Sequence, residues 1–197
     1  MNTRARGVAI STVGYMCLAI GGWMLSMSAA DWYAHTLGVA FLVSLSIVLA
    51  IMGVLAFVAD RGLDAVVFFG GAAILGVMFT LEGIATVAHV TRPLTYIGWF
   101  SCMWAIYYAC TWVGSLRSGV MRSSFLLGLW LTLGVLAIGA WSGVAGWMIA
   151  GGYLGLITSL AAFATAGSEI IRYGVSANPN AEITATSTGA ARPIAAD

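Results

Sequence analysis

The chain has 197 residues, 61% of them hydrophobic and 8% charged, with a net charge of +1 at pH 7 and a mean hydropathy of +0.98. Soluble domains carry about 25% charged residues, so this composition excludes an ordinary soluble enzyme and points to an integral membrane protein. The near-neutral charge offers no field for nucleic acid, and the expected partners are membrane lipid and a small solute.

In chain order, Arg4 and Arg6 precede a first apolar run, Val8–Met27, which closes on Ser28-Ala29-Ala30-Asp31. The run is long for the core of a secretory signal, and further apolar runs follow, so it is read as a retained first span. Asp31-Trp32-Tyr33 is an interfacial turn with an aromatic anchor. A second span covers residues 35–59 and is closed by Asp60-Arg61-Gly62. Asp64 leads into a third, residues 65–90, which carries Glu82 and ends near His89 and Arg92. Pro93 can open a helix because its missing N–H is not needed there. It starts the fourth span, residues 93–116, rich in aromatics from Tyr96 to Trp112. Residues 121–141 and 147–172 make a hairpin around Gly143 and Gly146, entered through Arg117 and Arg122. Each run is about long enough to cross ~30 Å of hydrocarbon at ~1.5 Å per residue.

The predicted fold is therefore all-α and integral to the membrane: one six-span domain over residues 1–175, then a disordered tail, 176–197, of Ala, Thr, Ser, Asn and Pro with little to bury. The arginines set the orientation. Arg4, Arg6, Arg61, Arg117, Arg122, Arg172 and Arg192 fall on one side of a six-span arrangement and Arg92 on the other. The positive-inside rule then puts both termini and the tail in the cytoplasm, with the cell (plasma) membrane as the expected location.

Glycines at helical spacing (Gly139 with Gly143, Gly151 with Gly155, and Gly70, Gly71 and Gly76) are expected to bring helices close together, because lipid supplies no hydrophobic force between them. Cys17, Cys102 and Cys110 lie in apolar runs and read as packing residues. Ionisable groups inside spans are functional candidates. Glu82 and His89, seven residues apart on one helical face, are candidates for proton sensing. Glu169 and Arg172, at i and i+3, read as a structural ion pair closing the bundle. Zinc-ligand spacing, a phosphate-binding glycine loop and a nucleophile elbow are all missing. No catalytic residue, cofactor or metal is expected.

From Gly98 to Asn178 the chain resembles the YaaH-type acetate/succinate transporter family. The resemblance rests on the aromatic fourth span, the short basic hairpin, Val135-Leu136-Ala137-Ile138-Gly139, Gly146-Trp147, a small-residue helix closing on Ala166-Gly167-Ser168-Glu169, and Tyr173-Gly174. In length and span number it extends over residues 7–178. Where the family has N-P-A-P-L-G-L before span one, Arg6-Gly7-Val8-Ala9-Ile10-Ser11-Thr12 stands here. The resemblance implies a hexameric ring with a separate path through each protomer and an apolar constriction, two of whose positions match Tyr15 and Leu129. The third, a tyrosine on span three, has no counterpart near Gly71–Ala73. Ser11 and Thr12, near the start of span one, are candidates to hold a small carboxylate with hydroxyls and helix-terminal N–H groups. The functional expectation is a transporter or channel, passive or proton-coupled, for a small carboxylate such as acetate, with succinate as a second substrate. The alternative is a transport-inactive scaffold or accessory subunit that keeps the fold.

Overall fold

The structure, a computed structural model, describes residues 3–32, 39–88 and 94–176. Within these residues the chain forms α1 (Thr3–Ala29), α2 (Val39–Val58), α3 (Gly62–Ala88), α4 (Leu94–Ser115), α5 (Val120–Ser142) and α6 (Ala145–Ser176). Each apolar run becomes one helix, with ends a few residues from those predicted. Helices α1, α2, α3, α5 and α6 are long and apolar enough to cross a membrane. Helix α4, at 22 residues, is about 33 Å long, and its tryptophans and tyrosines make it less apolar than the others.

Two turns place the polar groups that matter. Helix α2 ends on Asp60 in the left-handed conformation (φ 58°). The Asp60 N–H donates to the Phe57 carbonyl (3.1 Å) and the Arg61 N–H to the Ala56 carbonyl (2.9 Å), which satisfies carbonyls the helix end would leave free. Gly62 opens α3 at once, so Arg61 sits in the reversal and Asp64 in the first turn of α3. The second turn is Gly143, left-handed at φ 66°, whose N–H donates to the Gly139 carbonyl. Gly143 is thus a turn residue, and a Cβ there would meet nothing within 4 Å. Gly139 does the packing: a Cβ on it would stand 2.9 Å from the Met148 backbone nitrogen.

Helix α1 lies against α6 and α2, α3 against α2, α4 against α5, and α5 against α6. The α1 and α6 backbones come close at Gly152, where a Cβ would fall 2.5 Å from the Ala30 nitrogen and 2.8 Å from the Ser26 carbonyl oxygen. Only hydrogen fits between those backbones. Arg61 donates to the Gly7 carbonyl of α1 and also approaches Glu169 of α6. The starts of α1, α3 and α5 and the last turns of α6 therefore share one end of the bundle, the arginine end. Tyr15, Leu49, Val67, Phe68, Tyr108 and Leu126 are fully buried in the interior, whereas Phe57, Val58, Met103, Ile106, Ile157 and Ile171 point outward, as suits a lipid-facing surface.

The expected tail, 176–197, lies outside the described residues beyond Ser176, as do His89 and the side chains of Glu82 and Arg172.

Candidate functional site

Two helical stripes face each other through the length of the bundle. On α1 the stripe is Ser11, Tyr15, Leu18, Gly22 and Ser26; on α5 it is Arg122, Phe125, Leu129, Thr132 and Leu136. Steps of three and four residues keep each set on one helix face, and both helices run from the arginine end, so the stripes ascend together. They divide into layers.

The lowest layer is ionic and mostly buried, from Asp64 at 1% exposed to Arg61 at 24%. The Asp64 side chain, 1% exposed, receives the Ser11 hydroxyl, the Tyr15 hydroxyl at 3.1 Å, Arg61 Nε at 2.9 Å and Arg122 Nη2 at 3.3 Å. Helical side chains lean toward the N-terminus, so Ser11 and Tyr15, one turn apart, both reach down to the same carboxylate. The positive end of the α3 dipole also favours a carboxylate in its first turn. Arg122 Nη2 lies 2.9 Å from Glu169 Oε1, and Arg61 Nη2 lies 3.8 Å from Glu169 Oε2. Two arginines against two acids leave the layer neutral, and the desolvated charges are compensated by direct hydrogen bonds, the condition under which buried ions are tolerated.

Above it lies an aromatic layer. Tyr15, fully buried, meets Phe68 edge-on at 5.3 Å and Phe125 at 5.8 Å. The Arg122 guanidinium lies over the Tyr15 ring at 5.7 Å, a cation–π contact that joins the two layers. Tyr108, also fully buried, reaches in from α4 and lies over Gly70, where a Cβ would come 2.8 Å from its hydroxyl. It hydrogen-bonds the Val67 carbonyl at 3.3 Å.

The third layer is a cavity of about 100 Å³. One water needs roughly 10–15 Å³ by this measure, so there is room for several waters or one small solute. Leu18, Ile74, Leu75, Tyr108, Phe125 and Leu129 line it, together with the hydroxyls of Ser26, Thr132, Thr158 and Ser159. Thr132, Thr158 and Ser159 donate to the carbonyls of Gly128 (2.8 Å), Leu154 (2.9 Å) and Gly155 (2.9 Å), and the Thr132 and Thr158 hydroxyls touch at 3.2 Å. With the Ser159 proton and at least one of the Thr132 and Thr158 protons committed to the backbone, and the other able to bridge the two threonines, the hydroxyls turn mainly acceptor lone pairs to the cavity. Among the described residues no charged side chain lines it.

Of the residues singled out from sequence, Tyr15 lies in the aromatic layer and Leu129 on the cavity wall, on one continuous seam. Ser11 enters as a donor to Asp64. Because α1 begins at Thr3, both Ser11 and Thr12 stand beyond the free N–H groups of its first turn, so a helix terminus is not what these positions offer. The Thr12 hydroxyl is buried and unpaired among the described residues. Glu169 pairs with Arg122 and Arg61, and Arg172 is not described as a side chain. Asp64, Arg61, Arg122, Phe68, Phe125 and Tyr108 were not singled out as site residues. The signal that could have found some of them was the shared three-and-four spacing of the α1 and α5 stripes, with Asp64 three residues after Arg61. Among the described residues no group of three His, Cys, Asp or Glu side chains is placed to hold a metal ion.

Apolar helices around an internal, ion-capped cavity define the class: a multi-pass, all-α membrane protein. No family model matches the sequence, and no curated protein matches it. The fold does have a solved counterpart. The chain is similar to a structure described as that of the bacterial acetate channel SatP, with a TM-score of 0.79 over 84% of this chain and 93% of that one, at 16% identity. The likeness is one of fold.

Proposed function

We propose that the protein is a conduit for a small carboxylate, acetate-like and with succinate as a second candidate, each chain holding its own path along the α1–α5 seam. The observation that carries this reading is the cavity inside the bundle, with Phe125 on its wall and in ring contact with Tyr15, which packs on Phe68. The likeness to the fold of an acetate channel supports it. The arginine end faces the cytoplasm under the positive-inside rule. Tyr15, with Leu129 a turn or so above it, forms the constriction, which selects by width and by the difficulty of wetting an apolar neck. Among the described residues the cavity is lined by no charge, so a small monocarboxylic acid crosses it most easily in its neutral form, and charge is met in the ionic layer below. The assembled form is a homo-oligomer, a hexamer by family resemblance, in the cell membrane. Glu82 and His89 are the proton-sensing candidates.

The test is uptake of labelled acetate into proteoliposomes, with and without an inward proton gradient. Leu129→Trp, which puts an indole into the neck, should abolish uptake, with the adjoining cavity of about 100 Å³ taking up the added volume and the unfolding curve checking that the protein stays folded. If flux depends on the gradient, Glu82→Gln should remove that dependence. No uptake of acetate, lactate or succinate by well-folded protein would overturn the conduit and leave the transport-inactive scaffold.

A further inference from the structure

The two acids of the ionic layer are held very differently. Asp64 is saturated: two hydroxyls and two guanidinium groups converge on it, and its side chain is 1% exposed. Glu169 has one short partner, Arg122 at 2.9 Å, and a second at 3.8 Å, and it is 14% exposed. Glu169 is also within reach of a solute. Together with Arg122, Ser118, Thr165 and Ser168 it lines a cavity of about 210 Å³ at the arginine end. A second cavity, of about 390 Å³, is lined by Arg61, Arg117 and Arg122 with Asp60 and Asp64. Counting Glu169, which pairs with Arg122 and approaches Arg61, the three arginines here face three acids, so an incoming anion gains a guanidinium only by exchange with an acid already on it. Arg122 lines both cavities, lies over the Tyr15 ring, and precedes Phe125 by one turn on the stripe that leads to Leu129.

We propose that Arg122 is the carboxylate-recognising residue of the conduit and that Glu169 is its built-in placeholder: a small monocarboxylate takes the place of Glu169 on Arg122. The exchange swaps one carboxylate–guanidinium pair for another, with no bond made or broken in either partner. Asp64 stays fixed and keeps Arg122 in position, while Glu169 turns toward the water of its cavity. A guanidinium offers several N–H donors in one plane, so Arg122 can keep Asp64 and still present an edge to the incoming anion. Recognition thereby happens at the foot of the aromatic layer, the last point before the apolar neck at which a charge is met. The inference rests on the conduit reading for its purpose, but it concerns a binding site that can be tested without flux.

The experiment measures binding of ¹³C-labelled acetate to the full chain in detergent, by equilibrium titration, alongside uptake into proteoliposomes. Glu169→Gln keeps the side-chain shape and removes the competing charge, so acetate should bind about tenfold more tightly. Arg122→Gln should abolish binding, and Arg122→Lys should restore part of it, which separates loss of the cation from loss of the fold. Asp64→Asn should not mimic the tightening, because Asp64 is not the acid that leaves. Unchanged acetate affinity in Glu169→Gln, or weakening equal to that of Arg122→Gln, would overturn the exchange. If uptake is blocked by Leu129→Trp but binding is unmoved by any of these changes, the exchange falls and the conduit stands. If binding shifts as expected but no uptake occurs, the site stands and the conduit falls. If there is neither binding nor uptake, both fall.

Discussion

The two ends of the α1–α5 seam are built by different physics. At the arginine end a fixed acid, Asp64, is gripped by four side chains drawn from α1, α5 and the α2–α3 reversal. Toward the other end the same seam carries no charge among the described residues, and hydroxyls there bond to the carbonyls of their own helix, with glycines bringing backbones together. The first region is specified by long-range pairs that must all be present. The second is specified by close approach, which tolerates the loss of any one hydrogen bond but not the addition of volume. Substitutions should therefore be costly at the ionic end when they remove a group, and costly at the other end when they add one.

The largest effect is expected at Asp64. Asp64→Ala leaves Arg61 and Arg122 with Glu169 as the one remaining acid between them in a mostly buried layer, and removing one partner of a buried ion pair costs about 3–5 kcal/mol. Denaturant-induced unfolding in detergent, followed by tryptophan fluorescence, reads this directly. A loss below about 1 kcal/mol would mean that the layer is solvated and that the contrast between the two ends is false. Tyr15→Phe keeps the ring between Phe68 and Phe125 and deletes only the 3.1 Å bond to Asp64. Its expected cost is about 1.5–3 kcal/mol, the range for a hydrogen bond to a charged group. A double-mutant cycle with Asp64→Ala should show that the two losses do not add.

Moving up the seam, Gly152→Ala should cost about 1–3 kcal/mol through overpacking, because the new methyl meets backbone atoms of Ser26 and Ala30 that cannot rotate away. The readout is the same unfolding curve, and stability equal to wild type would show that α1 and α6 separate freely. The smallest effect is expected at Thr132→Val. It removes the Thr132–Thr158 contact at nearly constant volume, and interhelical hydrogen bonds in membranes average about 0.6 kcal/mol. A loss as large as that for Tyr15→Phe would place the hydroxyl cluster on the same footing as the ionic layer and erase the comparison.

Tyr15 and Leu129 were named only through the family resemblance, whereas hydropathy, glycine and arginine placement were enough to locate the helices and the α5–α6 turn at Gly143. Those features are local: a run of apolar residues must satisfy its backbone inside lipid, and the helix is the solution available to a single segment. The pairing of charges was not local. Arg61 and Arg122 looked like topology markers at helix ends, and Asp64 like the polar start of a span, because nothing along the chain says that a reversal at Asp60 and the first turn of α5 converge 60 residues apart. Glu169 illustrates the same limit. Its sequence neighbour at i+3 is Arg172, but the described guanidinium groups on it come from α5 and from the α2–α3 reversal.

The sequence by itself therefore determined what each segment becomes: apolar helices of membrane length, their ends, and the sidedness expected from the arginines, all consequences of one segment meeting its solvent. Only the tertiary structure decided which side chains share a layer. The approach of α1 to α6 across Gly152, and of α5 to α6 and α4, is fixed by the fit of whole helix surfaces. That fit brings Ser11, Tyr15, Asp64, Arg61, Arg122 and Glu169 within hydrogen-bonding or ion-pair distance of one another, beneath a cavity that no single helix encloses.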